Sequence, residues 1–448
     1  MSEIPFEYLL AAVEATRLTP EAAPTRYLNV AGTITPRKAR YRPEESRGTL
    51  AKSYRSVDAR KWSDFEGEGP LDVYTLLMML NVLVAGGIDG TGATDATLST
   101  DLTGNNNDIV YTAVTGGGIG NTIGVQYIDP AADNSALNVD VDGRIIKVYL
   151  ATDGNGLITT TGDLLKAAIE AHPVASTLVT VADKAANDGS GVVTAMGATH
   201  LAGGEGADVT TPGGATNSRL WTFVPNMTAD DLEALTLWWG DPNVQAFRAG
   251  GCMFDELTIT ADASGDDGVM ISISGQGLFP SKVADPVVPS MLSAPLLMPT
   301  AMQLWIDTAT IGSTAVTGRV VSAEVKIPGE IARKWLAAGP TSDLSFSAVG
   351  RGKRQIEVKL VLELSDLTQY DQWAAATSLK TRIRFNGSLI EAGFYHYVDV
   401  DVYGPFDGFE WGENQETNRT VELTILSEYD ADAGYDWCVR VQTDREEL

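Results

Sequence analysis

The sequence predicts a mainly β fold: a β-sandwich or curved sheet with one flanking helix, duplicated in the chain, plus an inserted α+β module. Three observations lead there. Apolar and polar residues alternate over strand-length segments through most of the second half, with turn residues between them, which is the period of sheets that keep one face wet. A short pattern recurs, because Asp231, Leu232, Leu235 and Trp238 match Asp366, Leu367, Tyr370 and Trp373 at a constant offset. Both sets read as the opening of a helix, with acid at the N-terminus and apolar residues on one side. Finally, the block 86–214 differs in character, with Gly/Thr/Asn/Asp loops between short strands and fifteen acidic residues against four basic ones.

The match extends past the two helical segments. Each is followed by an Arg near a Gly (Arg248 and Gly250; Arg384 and Gly387), then an alternating strand (254–260; 395–401) and a second strand (269–274; 421–426). Upstream, Ala59-Arg60-Lys61-Trp62 recurs as Ala332-Arg333-Lys334-Trp335, at an offset larger by nearly the length of the 86–214 block. A repeated supersecondary unit predicts two copies of one fold. The expected domains are therefore 1–85 with 215–290, interrupted by 86–214, and then 291–448.

In chain order, residues 1–45 read as an extended arm with a short helix at 6–16. Residues 49–68 read as strand, turn, strand. Gly69-Pro70 puts Pro at the first position of an apolar helix over 71–85, and Gly86-Gly87 stops it. Within the block, strands are expected at 109–114, 122–128, 137–141 and 145–150, then a helix at 163–171 capped by Thr161, then strands at 177–181 and 191–195. Gly203, Gly204, Gly206, Gly213 and Gly214 form an exit linker, as an insertion with close ends requires. Residues 218–280 read as strand, helix and two strands, and 280–299 is a Pro-rich connector. The second copy follows with strands at 302–306, 316–327, 344–349, 356–364, 380–386, 394–403 and 420–427, its helix lying between the fourth and fifth.

A formal net charge of −27 argues against tight nucleic-acid binding, which relies on clustered Lys and Arg, but suits a conduit through which DNA slides without sticking. The longest apolar stretch, 71–85, carries Asp72, Thr75 and Asn81, so it reads as a buried helix and no membrane insertion is expected. Ser2-Glu3-Ile4-Pro5 after Met1 is unlike a signal peptide, which points to synthesis in a cytoplasm. Cys252 and Cys438 read as two free, partly buried thiols.

No constellation of residues carries chemistry. Gly116-Gly117-Gly118-Ile119-Gly120 follows a strand, yet no helix opens after it to cradle a phosphate, so a hairpin loop is the simpler reading. Asp399 and Asp401 share one side of a strand between Val398, Val400 and Val402, as a sheet with a wet face requires. His172, His200 and His396 stand apart without metal-ligand spacing, and Asp153-Gly154-Asn155-Gly156 reads as a turn. No catalytic residue, cofactor or metal is assigned, and a structural or binding role is favoured over an enzyme. The basic segment Arg37, Lys38, Arg40, Tyr41 and Arg42 is a candidate subunit interface, since the acidic remainder of the molecule complements it.

Arg47-Gly48-Thr49, the strand ending Phe65-Glu66-Gly67-Glu68-Gly69-Pro70, the apolar helix over 76–84 and the strand Phe254-Asp255-Glu256-Leu257-Thr258-Ile259 resemble the tail tube proteins (major tail proteins) of long, non-contractile-tailed bacteriophages. The segments 107–114, 149–154 and 191–195 resemble an accessory module that recurs in phage structural proteins. The resemblance implies a structural virion protein of the tail whose sheets join edge to edge into rings that close a β-barrel. Stacked rings then form a tube that conducts DNA without binding it specifically. Its partners would be copies of itself and other tail proteins. Most members carry one tube domain and form hexamers, so two copies per chain imply a trimer with pseudo-sixfold symmetry. The module would face outward, and Asp399 and Asp401 become candidate lumen-facing acids. The alternative reading is a β-rich surface adhesin in which Trp221, Trp238 and Trp239 stack on glycans; a secreted hydrolase is a weaker third.

Overall fold

Strict alternation of buried and outward side chains governs the dominant element. The computed structural model describes residues 8–44, 55–84, 94–114, 116–142, 144–204, 208–225, 233–241, 245–284, 286–289, 295–336, 344–415 and 418–445. The chain divides into two compact units: 1–83, 232–399 and 405–427 make the first, and 84–231, 400–404 and 428–448 the second. Both are built mainly of antiparallel strands.

The first unit contains eight strands of one continuous antiparallel sheet: β1 (Ala31–Tyr41), β2 (Val57–Pro70), β3 (Gln245–Asp262), β4 (Met270–Gly277), β5 (Val320–Pro328), β6 (Glu357–Glu363), β7 (Phe406–Gln415) and β8 (Asn418–Leu426). Their spatial order is β1-β2-β4-β3-β5-β6-β8-β7. Phe65, Leu257, Ile259, Ile271, Ile273, Val325, Ile327, Val358, Leu360, Leu423 and Ile425 all point to one face and are at most 3% exposed. Their neighbours in sequence point to the other, as the two-residue period demands. Gly275 lies opposite Phe65 on β2 and Phe254 on β3, whose rings meet edge to face at 5.6 Å. A Cβ at Gly275 would sit 2.3 Å from the Phe65 ring, so glycine makes room for the aromatic pair.

A helix follows the second strand of each four-strand set: α1 (Val73–Leu83) after β2 and α2 (Thr368–Ala374) after β6. Pro70 ends β2 instead of opening α1. The helix is started by Asp72, whose Oδ1 accepts from the backbone N–H of Tyr74 (2.7 Å) and Thr75 (3.0 Å), while Oδ2 accepts from Asn29 Nδ2 (2.6 Å). Every residue of α1 except Tyr74 is buried.

Two expected helices are strands. Leu235–Asp241 forms a strand, where a helix over 228–238 was expected, and Thr228 to Leu232 lie outside the described residues. Leu235 and Leu237 are fully buried and Trp238 is 1% exposed. A run apolar on both sides of the chain suits a central strand, here ladder-bonded to β3 on one flank and to Tyr8–Val13 on the other. That second strand replaces the helix expected at 6–16, for the same reason: Tyr8 to Ala12 is a continuous apolar run, ambiguous by period alone. Of the two matched helical segments, only the one at α2 is helical. Likewise 254–260 lies in β3, whereas 395–401 belongs to Phe394–Gly404, which is not one of the eight strands. The partner of β8 is β7, a strand the sequence reading left unassigned.

In the second unit, Thr97–Ser99, Ile109–Ala113 and Val179–Asp183 form a three-stranded sheet. Asn138–Asp142, Ile145–Tyr149, Gly124–Ile128 and Met196–His200 form a four-stranded one that includes a parallel pair. The helix Gly162–Ala171 is capped by Thr161 as expected. The two sheets share a core in which the Tyr111 and Tyr127 hydroxyls meet at 2.5 Å. Strands Asp208–Thr210, Arg219–Phe223 and Trp437–Thr443 complete the unit.

Replacing the α1 cap, Asp72→Ala, removes two backbone bonds and strands Asn29. It is expected to lower unfolding stability by about 2 kcal/mol in denaturant titration, whereas Asp72→Asn should cost less than half as much.

Candidate functional site

The outward face of the eight-stranded sheet is strongly acidic. Counting across it, Asp64, Glu66 and Glu68 stand on β2, Glu256 and Asp262 on β3, Glu324 on β5, Glu357 and Glu363 on β6, Glu410 on β7 and Glu422 on β8. The lysines among them are engaged: Lys326 lies 3.2 Å from Glu324 and Lys359 3.5 Å from Glu357. Two open hollows mark this face. One, of about 530 Å³, lies over Thr33, Glu66, Glu68, Glu256 and Ser274; the other, of about 380 Å³, over Asp262, Met270, Glu324, Lys359 and Glu422. Such a surface repels phosphate at short range. The signal is present in the sequence as acids two residues apart, but only the strand pairing brings six strands' worth of them onto one side.

Asp399 and Asp401 do not belong to this face, which corrects the expectation that alternation makes them wet. Asp399 is 1% exposed and receives a bidentate contact from Arg384, whose Nε and Nη2 each lie 2.6 Å from a carboxylate oxygen; Arg382 adds a third approach at 3.7 Å. The Arg384 guanidinium also stacks on the Tyr397 ring at 4.0 Å. Burial alone would lower the pKa of Arg384, but the Asp399 hydrogen bonds and charge hold it above its ordinary value. Asp401, in the second unit, is fully buried and pairs with Arg440. A valine-flanked carboxylate can be buried when an arginine fork neutralises it, and nothing in the local alternation distinguishes the two cases.

The candidate interface residues Arg37, Lys38, Arg40 and Tyr41 lie along the outer half of β1, with Arg42 just beyond it, and all five are exposed. Asp64 accepts from Arg37 at 2.8 Å and Asp58 from Arg40 at 2.9 Å, with Lys38 at 3.5 Å from Asp58. Partial burial would raise the pKa of Asp58; Arg40 and Lys38 outweigh that and hold it below its ordinary value. The recurring Ala-Arg-Lys-Trp segments meet each other. Trp62 and Trp335 pack edge to face at 6.2 Å, Arg60 stacks on Trp335 at 4.8 Å and Arg333 on Trp62 at 5.0 Å. One segment lies on β2 and the other at the end of the strand Ile331–Lys334, so their identity reflects a reciprocal cation–π contact and not equivalent positions.

The remaining candidates are structural. Gly118–Thr122 is a short 3-10 turn in which Asn121 exchanges hydrogen bonds with Gly204. Asp153 Oδ1 closes a turn onto the N–H groups of Asn155 and Leu157. Cys252 and Cys438 are buried free thiols. Trp221 and Trp238 are each 1% exposed and offer no surface to a sugar. Among the described residues, no group of three His, Cys, Asp or Glu is placed to hold a metal ion, and no helix is long and apolar enough to cross a membrane.

The sheet ends in two long edges, β1 and β7, that have no strand of this unit on their outer sides among the described residues. The β7 edge carries Asp407, Glu410 and Trp411, the last 51% exposed; the β1 edge carries Arg37, Lys38 and Arg40. Opposite charge thus stands at the two ends of one sheet, with an aromatic ring half open to water at one of them.

Because Asp399 is so deeply placed, Arg384→Met should destabilise the protein by about 3 kcal/mol, and Arg384→Met with Asp399→Leu should recover more than half of that in thermal or denaturant unfolding. Equal losses for the single and double variants would refute a buried pair. Comparison with the models of known families and with curated proteins finds no match to this chain.

Proposed function

We propose that this chain is the ring subunit of a phage tail tube, a structural protein whose copies join sheets edge to edge around an acidic bore that conducts DNA. The observation that carries the reading is the eight-stranded sheet itself: one hollowed, acidic face and two long open edges of opposite charge. Such edges aggregate unless neighbours fill them, and a closed ring fills all of them at once.

The strand order supports a duplicated tube domain. β1-β2-β4-β3 and β5-β6-β8-β7 are the same arrangement, two hairpins set side by side with the second reversed, and each has a helix after its second strand. Both second hairpins also carry a register shift at a matching place, between Phe254 and Glu256 in β3 and between Phe406 and Gly408 in β7, where a second shift falls between Trp411 and Asn414. A bulge is a specific local feature, and its recurrence is what descent from one unit leaves behind.

Ring size follows from strand spacing. At about 4.8 Å per strand and a tilt of about 40°, sixteen strands close at a backbone radius near 16 Å and twenty-four near 24 Å. Allowing about 6 Å for inward side chains, two chains leave a bore of about 20 Å, no wider than the duplex, while three leave about 35 Å. Three chains are thus the smallest ring that passes hydrated DNA, and the acidic lining keeps it from binding.

Electron microscopy of concentrated protein should show stacked rings with an axial channel and threefold or pseudo-sixfold end views. Discrete monomers at every concentration and salt would overturn the reading. In assembled tubes, Glu66→Lys with Glu256→Lys and Glu324→Lys should leave ring formation intact yet make the tubes retain short duplex DNA at about 50 mM salt, where the unaltered tubes release it.

A further inference from the structure

We infer that the contact between neighbouring chains copies, residue for residue, a junction already present inside one chain. The inference rests on the ring reading above and adds to it a specific register: β7 pairs antiparallel with β1 of the partner subunit, Glu410 opposite Thr35 and Trp411 opposite Ile34.

The argument starts from the internal junction. β3, the last strand of the first set, pairs antiparallel with β5, the first strand of the second, placing Thr258 opposite Lys326 and Ile259 opposite Val325. In the ring, the outermost strand of the second set, β7, must meet the outermost strand of the first set in the next chain, β1, which is the same type of junction. The shared bulge then fixes which residues correspond. Aligning Phe254 with Phe406 equates Glu256 with Gly408. Crossing each set along the pairing, Glu256 leads through Ser274 and Glu66 to Thr33, and Gly408 leads through Thr424 and Lys359 to Glu324. Thr33 therefore stands where Glu324 stands, Thr35 where Lys326 does and Ile34 where Val325 does. Transferring the internal junction gives Glu410 opposite Thr35.

Side-chain chemistry at that register is coherent without having been used to find it. Trp411, 51% exposed, comes beside Ile34 on the apolar face, where the internal junction has Ile259 beside Val325. On the acidic face Arg37 lies diagonal to Glu410, an attractive cross-strand pair at the channel wall. A slip by one residue would set Trp411 opposite Thr33 or Thr35, both on the acidic face.

In the internal junction, Gly329 N–H donates to Asp255 O at 2.8 Å and Ala263 N–H to Val321 O at 2.8 Å. Thr258 and Lys326 are consequently a non-hydrogen-bonded pair, the kind whose Cα atoms approach to about 4.5 Å, within disulfide reach. The test is Glu410→Cys with Thr35→Cys in the full chain, with both natural cysteines buried and unpaired as background. Under mild oxidation most chains should migrate as a covalent three-chain species on non-reducing gels and return to single chains on reduction. Glu410→Cys with Ala31→Cys, displaced by about 13 Å along the strand, should give little. Cross-linking of the displaced pair instead would overturn the register. Absence of any cross-link in particles that sediment as assemblies would overturn the junction while leaving the ring reading intact; a protein that sediments as a monomer throughout would remove both. As a check that needs no disulfide, Glu410→Arg and Arg37→Glu should each weaken assembly about fivefold, and the two together should restore it. Failure of the double variant to recover assembly would also count against the register.

Discussion

An antiparallel ladder has no natural end. Every strand except the outermost spends its N–H and C=O groups on two neighbours, and a long outermost strand presents a row of them to whatever comes next. In this molecule that constraint organises the rest. The eight-stranded sheet terminates in β1 and β7, each more than nine residues long, at opposite ends of one face pattern. Helix α1 and the strands at Tyr8–Val13 and Leu235–Asp241 serve the apolar side, and the other side is left to water. Among the described residues, the backbone bonding of this sheet is unfinished in the direction perpendicular to its strands.

Charge is distributed in keeping with that direction. The deepest carboxylates, Asp399 and Asp401, are neutralised by Arg384 and Arg440 and contribute little to the outer field, although they were the acids that strand alternation made most visible. The net charge of −27 reaches the solvent through residues that look ordinary one at a time, such as Glu66, Glu256 and Glu422. The few cations of β1 are collected at one edge. The proposed ring reading requires this separation, since a uniform negative surface would oppose assembly of sister chains as strongly as it opposes DNA.

Much of the architecture could be read from residue patterns, and the failures have physical causes. The strands β2, β6 and β8, helix α1 and the Thr161-capped helix all follow from alternation, capping or an apolar run of decisive length. Leu235–Asp241 and Tyr8–Val13 did not, because a short continuous apolar run is compatible with a buried strand or a buried helix, and only tertiary pairing decides. β7 is not legible in the sequence because Gly408 and Gly412 flank its short apolar pair Phe409 and Trp411, and glycine in a strand has meaning only once the bulge beside it is seen. The proposed duplication rests on other residues than those that match in sequence. Sequence matching paired 231–238 with 366–373 and one Ala-Arg-Lys-Trp with the other, whereas strand order and bulge position relate β3 to β7 and β1 to β5. Positions under the same backbone constraint need not share side chains: Leu257 corresponds to Phe409, and Ile259 to Trp411.

Where the two sets differ most is the stretch between the helix and the next sheet strand. From α1 to β3 the chain runs through residues 84–244, which include nearly all of the second unit; from α2 to β7 it runs only through 375–405, a hairpin of Leu379–Glu391 and Phe394–Gly404. In the duplicated reading this connection is free to vary, and the physics says why. The eight strands are ordered by their mutual pairing, so a longer connection costs only loop-closure entropy, which grows by about 0.6 kcal/mol for each doubling of length. A folded module whose own ends lie close lowers even that, because most of its residues are ordered by their own core around Tyr111 and Tyr127. The hairpin connections within each set, β3 to β4 and β7 to β8, have no such freedom: lengthening them would disturb the bulge register that the edges depend on. Insertion between helix and sheet is therefore compatible with a conserved rim, and the sequence places its foreign-looking block there and nowhere else.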